Sequence, residues 1–393
     1  MIASILPTYN RAALAFASGN GSWLTSTEGV RYLDLGAGIA VNVLGHAHPA
    51  LVAAISDQAA RLWHVSNLYR IPEQERLADM LVDQTFADTV FFTNSGTEAA
   101  ELAIKMARKY HFNNDQADRV EIIAFEGAFH GRSTGAIAAA GSEKMVKGFG
   151  PLMPGFRHLK WGDHDALRAA ITTRTCAVII EPIQGEGGIR VVPDQCLKGL
   201  RDLCDETGTL LIFDEVQCGM GRTGKLFAHE WAGITPDIMM VAKGIGGGFP
   251  LGAVLATEHA AAGMGPGTHG STYGGNPLAC AVGAAVMGIV AQDDFLDHVS
   301  RKSAQFRQGL DGLVAGHPGV FEGVRGQGLM LGLKCRAANG DVVKAAYAQH
   351  LLTVPAADNV LRLLPALNIP DADIAEAIAR LDRAAIALKA HAA

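Results

Sequence analysis

The fold is decided by the stretch CAVIIEPIQGEGGIRVVPDQCLKGLRDLCDETGTLLIFDE, which covers residues 176–215. It begins with the apolar run CAVIIE (176–181) and ends with the apolar run LLIFDE (210–215). Between these runs, DQCLKGLRDLCDETG (194–208) has its apolar residues at the spacing of an amphipathic helix. A strand, a helix and a second strand in this order predict two parallel strands joined by a helix that packs on the sheet.

The same alternation extends to both sides of this unit. Further apolar runs are TVFFT (89–93), VEIIAF (120–125), IMMVAK (238–243) and GAVLAT (252–257), of which we expect the last to be an edge strand. NSGTEAAELAIKMARKY (94–110) has helical spacing, and in it Glu101 and Lys105 are placed for an ion pair across one turn. The sequence therefore predicts an α/β protein with a mostly parallel sheet and helices on both faces.

The two ends of the chain differ from this central part. PLACAVGAAVMGIV (277–290) is apolar throughout and predicts a buried helix that leads into a C-terminal part of helices and short strands. The N-terminal segment also lacks the alternation of strands and helices. We therefore expect a large domain at residues 46–275 and a smaller α+β domain formed by both ends, residues 1–45 and 276–393.

Composition and charge favour a globular protein that acts on small molecules. The 393 residues are 49% hydrophobic and carry a net charge of −6, with 33 Lys and Arg interspersed among 39 Asp and Glu. Because no basic stripe is present, we expect neither nucleic acid nor a membrane surface as a partner. The start MIASILPTYNRAALAF lacks the basic and apolar regions of a secretion signal, so we expect a cytoplasmic protein. The six cysteines form no C-x-x-C pair, so we expect reduced thiols and no metal site.

Glycine is over-represented, with 46 residues, and one glycine cluster imitates a dinucleotide-binding motif. Gly219-Met220-Gly221-Arg222-Thr223-Gly224 matches G-x-G-x-x-G, but it begins five residues after Asp214 and no helical pattern follows it directly. Asp237, at roughly the offset of a ribose-binding acid, precedes the next apolar run instead of ending it. We interpret the cluster as a conformationally permissive loop near an active site.

Lys243 and two acidic residues close apolar runs that we expect to be strands. Lys243 ends IMMVAK and is followed at once by GIGGGFPLG, so little side-chain bulk surrounds its amine. A desolvated amine there can form a Schiff base, whereas the alternative is a strand-end lysine that reaches solvent. Asp214 and Glu181 close two other runs, so both carboxylates are expected at the carboxyl edge of the sheet, where α/β proteins bind ligands. A carboxylate there can hold a pyridinium nitrogen, or it can simply cap a helix or brace a loop.

Two short motifs offer further ligand contacts. Ser95-Gly96-Thr97-Glu98 opens a predicted helix, where free N–H groups and the Thr97 hydroxyl can bind a phosphate. Ser95 and Glu98 also match a capping box, which needs no ligand. Phe129-His130-Gly131-Arg132 provides an aromatic plate that can stack on a cofactor and a guanidinium that can bind a carboxylate. A core phenylalanine beside a surface arginine is the alternative interpretation of that motif.

Taken together, these segments resemble the class III pyridoxal phosphate-dependent aminotransferases of fold type I. The resemblance runs nearly from end to end and is carried by LGAGIAVNVLGHAHP (35–49), NSGTEAAELAIKMARKY (94–110), FHGRS (129–133), EPIQGEGG (181–188), FDEVQCGMGRTG (213–224), VAKGIGGGFPLGA (241–253) and GTHGSTYGGNP (267–277). It implies the fold type I architecture, the cofactor pyridoxal 5'-phosphate and a homodimer with a shared active site.

The resemblance also implies roles for individual residues around the cofactor. Lys243 and Asp214 are the catalytic pair, in which Lys243 bonds to the cofactor and moves protons while Asp214 pairs with the pyridine nitrogen. It further implies that Gly96 and Thr97 bind the phosphate and that Phe129 and Val216 contact the two faces of the ring. Gln217 is implied to lie near the phenolic oxygen, and Thr272 to reach the phosphate bound in the neighbouring subunit.

For the substrates, the likeness is greatest to members that transfer the δ-amino group of N-acetylornithine to 2-oxoglutarate in arginine biosynthesis. It implies that Arg132 and Ser271 hold acetylornithine and that Arg362 holds the α-carboxylate of glutamate or 2-oxoglutarate. Glu186 matches a glutamate that pairs with this arginine when the substrate offers its distal amine and swings away for glutamate.

Other donors remain open at this point, namely succinyldiaminopimelate, succinylornithine, ornithine and 4-aminobutyrate, as does a class III mutase. A non-catalytic binding protein that keeps the fold is the alternative from a different class, although the presence of Lys243 and Asp214 argues against it. The aromatic residue often found near position 38 in ornithine aminotransferases is Gly38 or Ile39 here, which weakens the interpretation as an ornithine aminotransferase and leaves room for an N-acyl substrate. The more usual proline pair of the family is Pro365-Ala366 in this chain.

Overall fold

The computed structural model describes residues 4–392. Its strands are β1 Phe16–Asn20, β2 Trp23–Ser26, β3 Arg31–Asp34, β4 Thr89–Thr93, β5 Glu121–Phe125, β6 Phe156–Leu159, β7 Thr175–Ile180, β8 Ile183–Gln184, β9 Arg190–Val191, β10 Leu210–Asp214, β11 Ile238–Val241, β12 Gly252–Ala256, β13 Phe321–Gln327, β14 Met330–Cys335, β15 Leu351–Leu352, β16 Val354–Ala356 and β17 Val360–Leu363. Its helices are α1 Ala37–Ala40, α2 Pro49–Ala59, α3 Pro72–Asp83, α4 Gly96–Asn113, α5 Thr134–Ala140, α6 Glu143–Val146, α7 His164–Ala170, α8 Asp194–Thr207, α9 Glu258–Ala261, α10 Pro277–Val290, α11 Asp293–Gly316, α12 Asn339–Ala348 and α13 Asp371–Ala392, with 3-10 turns at Ala228–Ala232 and Lys243–Gly246.

The centre of the fold is a seven-stranded sheet with the order β4-β12-β11-β10-β7-β5-β6. All its strands run parallel except β12, which is antiparallel to both neighbours. The predicted α/β class, mostly parallel sheet and crossover helix α8 between β7 and β10 are therefore confirmed. The prediction that 252–257 forms an edge strand is wrong, because β12 lies between β4 and β11 with all five residues buried.

Alternate residues of β5, β7 and β10 pack into two separate cores, one on each face of the sheet. Ile122, Ile179 and Ile212 point to the face covered by α4, whereas Val178 and Leu211 point to the face covered by α8. Because both faces are buried, these strands are apolar at nearly every position. The edge strand β6 has the mixed sequence FRHL with only Leu159 fully buried, and the apolar pattern therefore did not predict it.

The two chain ends meet in smaller sheets. One sheet has the order β1-β2-β3-β15 and the other has the order β13-β14-β17-β16. β15, from the C-terminal part, pairs with the N-terminal strand β3, so both ends contribute to the first of these sheets, and the division into a large domain and a small domain built from both ends stays a prediction. Residues 1–3 and 393, which that division assigns to the small domain, lie outside the described residues.

The predicted ion pair between Glu101 and Lys105 does not form. The Glu101 carboxylate instead accepts hydrogen bonds from the Ser133 hydroxyl and the Gly135 N–H, at the start of α5. The Lys105 amine donates to the Thr268 carbonyl oxygen. Both side chains have tertiary partners that the local helical spacing does not reveal, and these partners replace the weak pairing across one helical turn.

Within residues 4–392, no single helix is long and apolar enough to cross a membrane. Helices α10 and α11 have that length and apolar composition only when taken together, and they are bent by 71° at their junction. Helix α10 is buried for most of its length against α2 and α3, as the sequence predicts for residues 277–290. All six cysteines are unpaired, and Cys196 is the one that is partly exposed.

Candidate active site

A cavity of about 420 Å³ lies at the carboxyl edge of the seven-stranded sheet. Its lining comes from the segments that follow five parallel strands: 94–97 after β4, 129–132 after β5, Glu181 after β7, 214–217 after β10 and 242–243 after β11. Parallel strands bring their carboxyl ends to a single edge, so residues that are far apart in the sequence meet in this cavity.

Lys243 lines this cavity and begins the 3-10 turn that follows β11. Its backbone has a φ of +49°, a left-handed conformation that is uncommon for a residue with a side chain and that clusters at functional sites. Burial lowers the pKa of its amine, although the nearby carboxylates of Asp214 and Glu186 act in the opposite direction. The amine is therefore neutral more often than that of an ordinary surface lysine.

Asp214, the last residue of β10, forms a buried pair with His130. Its Oδ2 lies 2.8 Å from Nδ1 of His130, and its Oδ1 accepts the N–H of Val216 at 3.0 Å. Burial alone would lower the pKa of His130, but its hydrogen bond to Asp214 and the charges of Asp214 and Glu181 raise this pKa above the ordinary value. The other ring nitrogen of His130, Nε2, is buried without a hydrogen-bond partner.

Glu181 adds a second buried carboxyl group next to this pair. It follows β7 directly, and its oxygens accept the N–H groups of Phe129 at 3.2 Å and of Gly185 at 3.4 Å. Burial raises the pKa of Glu181 to about 8, against the opposing charge of His130. Glu181 and Asp214 lie on neighbouring strands and both line the cavity, the arrangement expected from the ends of their two apolar runs.

The start of α4 presents main-chain donors to the cavity. The N–H groups of Gly96 and Thr97 precede the first intrahelical hydrogen bond, so the helix itself provides no acceptor for them. The Thr97 hydroxyl is already engaged, because it accepts the N–H groups of Arg132 at 3.0 Å and of Ser133 at 2.9 Å. The sequence predicts both the N–H groups and the hydroxyl as phosphate ligands. In the structure the hydroxyl already has main-chain partners, whereas the N–H groups of Gly96 and Thr97 have no helical acceptor.

The capping box predicted for this helix is only half formed. Ser95 accepts the N–H of Glu98 at 3.4 Å, which is the first half of the motif. The Glu98 carboxylate, however, accepts the N–H of Asn94 at 2.6 Å and its side-chain amide at 2.9 Å instead of the N–H of Ser95. Glu98 therefore braces the preceding residue.

The 129–132 turn places an aromatic ring and a guanidinium beside each other. Phe129 and Arg132 both line the cavity, and the Arg132 guanidinium lies 5.4 Å from the centre of the Phe129 ring. The turn requires glycine at Gly131, where φ is +132° and a Cβ would lie 2.4 Å from the Thr97 hydroxyl. Among the ion pairs of the described residues none involves Arg132, and its side chain is exposed.

Arg362 and Glu186 form a second charged group close to Lys243. Arg362 lies on β17 and is 1% exposed, and its Nη1 donates to Glu186 Oε1 at 2.5 Å and to Gln217 Oε1 at 3.3 Å. The charges of Glu186 and Arg362 both act on the pKa of Lys243, in opposite directions. Gln217 packs closely on Gly185, where a Cβ would be 2.4 Å from the Gln217 amide.

Ser271 and Thr272 do not line the cavity in a single chain. The Ser271 hydroxyl accepts the N–H of Gly274 at 2.9 Å and the side-chain amide of Asn94 at 3.3 Å, so it lies behind a residue of the cavity wall. Thr272 is exposed. These are the two predicted site residues that the fold of one chain does not bring to the others.

The G-x-G-x-x-G segment, 219–224, is a series of turns, as its sequence context predicts. It follows Gln217 closely, but its residues do not line the cavity, and the next helical element is the 3-10 turn Ala228–Ala232. The segment is therefore a loop, as interpreted from the sequence. The cavity is lined by residues of 214–217, shortly before this segment, and not by the glycine cluster itself.

Comparison with known proteins agrees with this chemistry. A family model described as "Aminotransferase class-III" matches residues 7–385. The chain belongs to the class III aminotransferases. Among curated relatives of this aminotransferase, an acetylornithine aminotransferase of Rhodobacter capsulatus is 72% identical over 389 residues, which are 99% of either chain. An acetylornithine aminotransferase of Mesorhizobium japonicum is 60% identical over 378 residues, which are 96% of this chain and 95% of the relative.

Solved structures show the same fold. An ornithine aminotransferase from Toxoplasma gondii ME49 matches with a TM-score of 0.95 at 31% identity, over 99% of this chain and 94% of the other. An N-acetylornithine aminotransferase from Stenotrophomonas maltophilia K279a matches with a TM-score of 0.85 at 40% identity, over 98% of both chains. The aminotransferase therefore has the fold type I architecture, and its cofactor is pyridoxal phosphate.

The chemical groups of the cavity residues match those of this cofactor. Pyridoxal phosphate has a carbonyl carbon, a basic ring nitrogen and a phosphate, and the cavity offers a desolvated amine on Lys243, a buried carboxylate on Asp214 and the helix-start N–H groups of Gly96 and Thr97. These groups come from three different strand ends around one cavity. An amine, an acid and an anion-binding helix start are what the three polar parts of the cofactor require.

His130 is the polar residue of the aminotransferase site that the sequence does not identify. It lies within the turn that the sequence singles out, but only Phe129 and Arg132 receive a role there. Its partner Asp214 is 84 residues away in the sequence, and no local spacing indicates that β5 and β10 deliver the two side chains to one point. The available signal is that His130 lies five residues after the predicted strand 120–125, at the same edge of the sheet as Asp214 and Glu181, which close their own runs.

Proposed function

We propose that this aminotransferase transfers the δ-amino group of N-acetylornithine to 2-oxoglutarate, in two half-reactions at one site, as a step of arginine biosynthesis. The choice of donor rests on the likeness, over nearly the full chain, to the two curated relatives described above, both of which are named acetylornithine aminotransferase. The solved ornithine aminotransferase has the same fold at a much lower identity, so the fold alone does not discriminate between donors.

The proposed cofactor contacts follow from the cavity wall. Gly96 and Thr97 bind the phosphate through their main-chain N–H groups, because these donors are free at the start of an 18-residue helix whose dipole favours an anion. Phe129, Val216 and Gln217 also line the cavity, where the first two would contact the faces of the ring and Gln217 would contact its phenolic oxygen. Val216 packs directly against Gly96, because a Cβ at Gly96 would lie only 3.0 Å from a Val216 methyl carbon.

Asp214 holds the protonated ring nitrogen of the cofactor in this proposal. Pyridoxal phosphate, when bound, supplies a ring that accepts the electron pair released as the substrate loses a proton. His130, whose pKa is raised, donates to Oδ2 of Asp214 and holds this side chain in place. Burial raises the pKa of Glu181, which disfavours a second negative charge beside Asp214.

Lys243 moves the proton. Because burial lowers the pKa of its amine, Nζ can accept a proton from the reacting carbon of the donor near neutral pH and pass it to the cofactor carbon C4′, and in the second half-reaction it would move a proton from that carbon to the reacting carbon of 2-oxoglutarate. The cavity around Nζ is lined mainly by apolar and main-chain groups, which limits competition from water for that proton.

The two substrates present carboxylates at different distances from the reacting amine, and the site has two arginines for them. Arg132 binds acetylornithine together with Ser271, which lies outside the cavity of its own chain and would therefore act on the site of a neighbouring chain. Arg362 binds the α-carboxylate of glutamate or 2-oxoglutarate. Glu186 neutralises Arg362 while acetylornithine reacts, since a buried guanidinium without a counter-charge is costly. The Glu186 side chain is 36% exposed and that of Arg362 is 2% exposed, so Glu186 is the member of the pair with room to move aside.

We also propose a homodimer in which Thr272 of each chain reaches the phosphate held by the other chain. Thr272 is exposed and outside the cavity of its own chain. Beside it lie the large apolar side chains of Trp63, Leu68, Tyr69 and Tyr273, which are 61% to 87% exposed, and the His64 and Tyr273 rings are in contact. An apolar surface of this kind is typical of a protein–protein interface. The unpaired cysteines agree with a cytoplasmic location, which we retain as a proposal.

The experiment that tests the donor follows the absorption spectrum of the purified holoenzyme as single ω-amines are added without an acceptor. We expect acetylornithine to convert the cofactor with the highest kcat/KM, ahead of succinylornithine, succinyldiaminopimelate, ornithine and 4-aminobutyrate. A faster conversion by any other donor would replace acetylornithine in this proposal. A protein that stays colourless after cofactor is added would indicate a binding protein without catalysis.

A further inference from the structure

Arg222 is a fully buried arginine without a carboxylate partner. Its side chain is 0% exposed, and none of the ion pairs of the described residues includes it. Nη1 donates to the carbonyl oxygens of Leu329 at 3.3 Å and of Pro365 at 2.5 Å, whereas Nε and Nη2 are buried without acceptors. Burial lowers the pKa of Arg222 to about 9. Burying an arginine without a counter-charge destabilises the fold, so its presence here calls for a functional explanation.

The contacts of Arg222 join the two parts of the molecule that form the active site. Arg222 belongs to the loop after β10, which also carries Asp214 and Gln217. Pro365 follows β17, the strand that carries Arg362, and Leu329 lies in the turn between β13 and β14.

The main chain strengthens this junction. The Leu329 N–H donates to the Arg222 carbonyl at 2.9 Å, and β14 pairs directly with β17 in the same sheet. Gly328, next to Leu329, approaches so closely that a Cβ there would lie 2.3 Å from Cα of Thr223. The Arg222 guanidinium therefore binds two neighbouring segments of the sheet that holds Arg362.

A second link crosses the same junction within the active site. Arg362 Nη1 donates to Gln217 Oε1 at 3.3 Å, which is at the long end of the hydrogen-bond range. Pro365 is three residues after Arg362, and Arg222 is five residues after Gln217. The two links thus connect the same two segments, and a small shift at Arg222 would change the distance of Arg362 from Gln217 and from Lys243.

We propose that Arg222 is a positioning residue for the α-carboxylate subsite, which fixes Arg362 relative to the cofactor-side loop. This inference rests on the proposed function, in which Arg362 binds the carboxylate of glutamate and 2-oxoglutarate. Arg222 suits the task because its rigid planar guanidinium directs one nitrogen, Nη1, at both carbonyl oxygens, which a flexible ammonium does less well. Arg132 lies on the 129–132 turn, outside this junction, so the subsite for acetylornithine does not depend on Arg222.

The test uses holoenzyme variants and measures both half-reactions separately. Arg222→Met keeps the volume and removes the donors, and we expect it to raise KM for 2-oxoglutarate and for glutamate about tenfold with little change in KM for acetylornithine. Arg222→Lys, which retains a charge and donors, should show a smaller rise in the same direction. If Arg222→Met does not fold, Arg222→Lys alone tests the inference, through the ratio of its KM for 2-oxoglutarate to its KM for acetylornithine.

Ser303→Ala is the matched control, because the Ser303 hydroxyl donates to the carbonyl of Gly328 in the same turn without contacting the segment after β17. It should leave both KM values unchanged. An equal loss in both half-reactions for the Arg222 variants would indicate a general structural role and overturn the inference. Arg362→Lys is measured in parallel: if it leaves KM for 2-oxoglutarate unchanged, the proposed subsite is wrong and the role of Arg222 falls with it. If Arg362→Lys raises that KM and the Arg222 variants do not, the inference about Arg222 alone is overturned.

Discussion

The two sides of the cavity differ in how completely one chain builds them. On the cofactor side, Asp214 and Glu181 are buried at strand ends, His130 is buried in the turn after β5, and hydrogen bonds hold all three at the same sheet edge. On the substrate side, Arg132 is exposed and Ser271 does not line the cavity of its own chain. The difference teaches that the chemistry of this protein is built into the central sheet, whereas substrate choice depends on loops, the small domain and, as proposed, a second chain.

The largest effect is expected for Lys243, on the cofactor side. Lys243→Ala removes the proton-transfer group, so kcat should fall by at least about a thousandfold while some cofactor binding remains. Borohydride reduction of the native holoenzyme, followed by peptide mapping, should place the cofactor on Lys243. Lys225→Ala, which changes an exposed lysine, is the control and should retain full activity. A label on another lysine would contradict the assignment.

A smaller but still large effect is expected at the pair behind the ring. Asp214→Asn removes the buried negative charge, and we expect kcat to fall about a hundredfold in both half-reactions. His130→Gln keeps a hydrogen-bond donor near Oδ2 without the positive charge, so its loss should be smaller than that of Asp214→Asn. Steady-state kinetics with each substrate would check this order. A His130→Gln variant that is as inactive as Asp214→Asn would mean that the imidazole acts on more than the carboxylate.

The same contrast explains what the sequence could predict. Five strands of the central sheet were recognisable because strands buried on both faces are apolar at nearly every position, and a residue that closes such a run, like Asp214, must lie at the ligand-binding edge. The position of β12 was not predictable, because full burial looks the same for an inner parallel strand and for an antiparallel strand inserted between two others. Its chain direction depends on the short 242–251 connection, which contains no crossover helix.

Residues on the substrate side are harder to assign from sequence, because their partners are distant in the chain. The resemblance supplied Arg362, Glu186 and Ser271, but no local pattern would have paired Arg362 with a residue 176 positions away. Thr97 shows the same difficulty on a smaller scale, since its hydroxyl serves the Arg132 and Ser133 main chain instead of remaining free. A motif predicts which residue type is present, and tertiary contacts decide which of its atoms are available.

The two arginines of the substrate side should separate the two half-reactions. Arg132→Ala should raise KM for acetylornithine more than Arg362→Ala does, and the order should reverse for 2-oxoglutarate. Loss of a charge-assisted hydrogen-bonded pair corresponds to roughly 10- to 100-fold in KM. Half-reaction kinetics with each substrate provide the measurement. Equal effects of both variants on both substrates would contradict separate carboxylate subsites and would weaken the contrast between a fixed chemical side and a selective substrate side.

The smallest effect concerns stability and returns to the cofactor side. The pKa of Glu181 is raised from 4.5 to about 8 in the folded protein, mainly by burial. Between these values the folded protein retains a proton that the unfolded chain has lost, so the free energy of unfolding should decrease as pH rises from about 4.5 through about 8. Glu181→Gln still accepts the N–H groups but does not titrate. In the cofactor-free protein, its melting temperature should therefore exceed that of the native chain by more at pH 8.5 than at pH 5, whereas the exposed-site control Glu143→Gln should follow the native chain at both pH values. Parallel pH profiles for Glu181→Gln and the native protein would show that Glu181 is ionised in the fold, and the cofactor side would then carry one more charge than its burial implies.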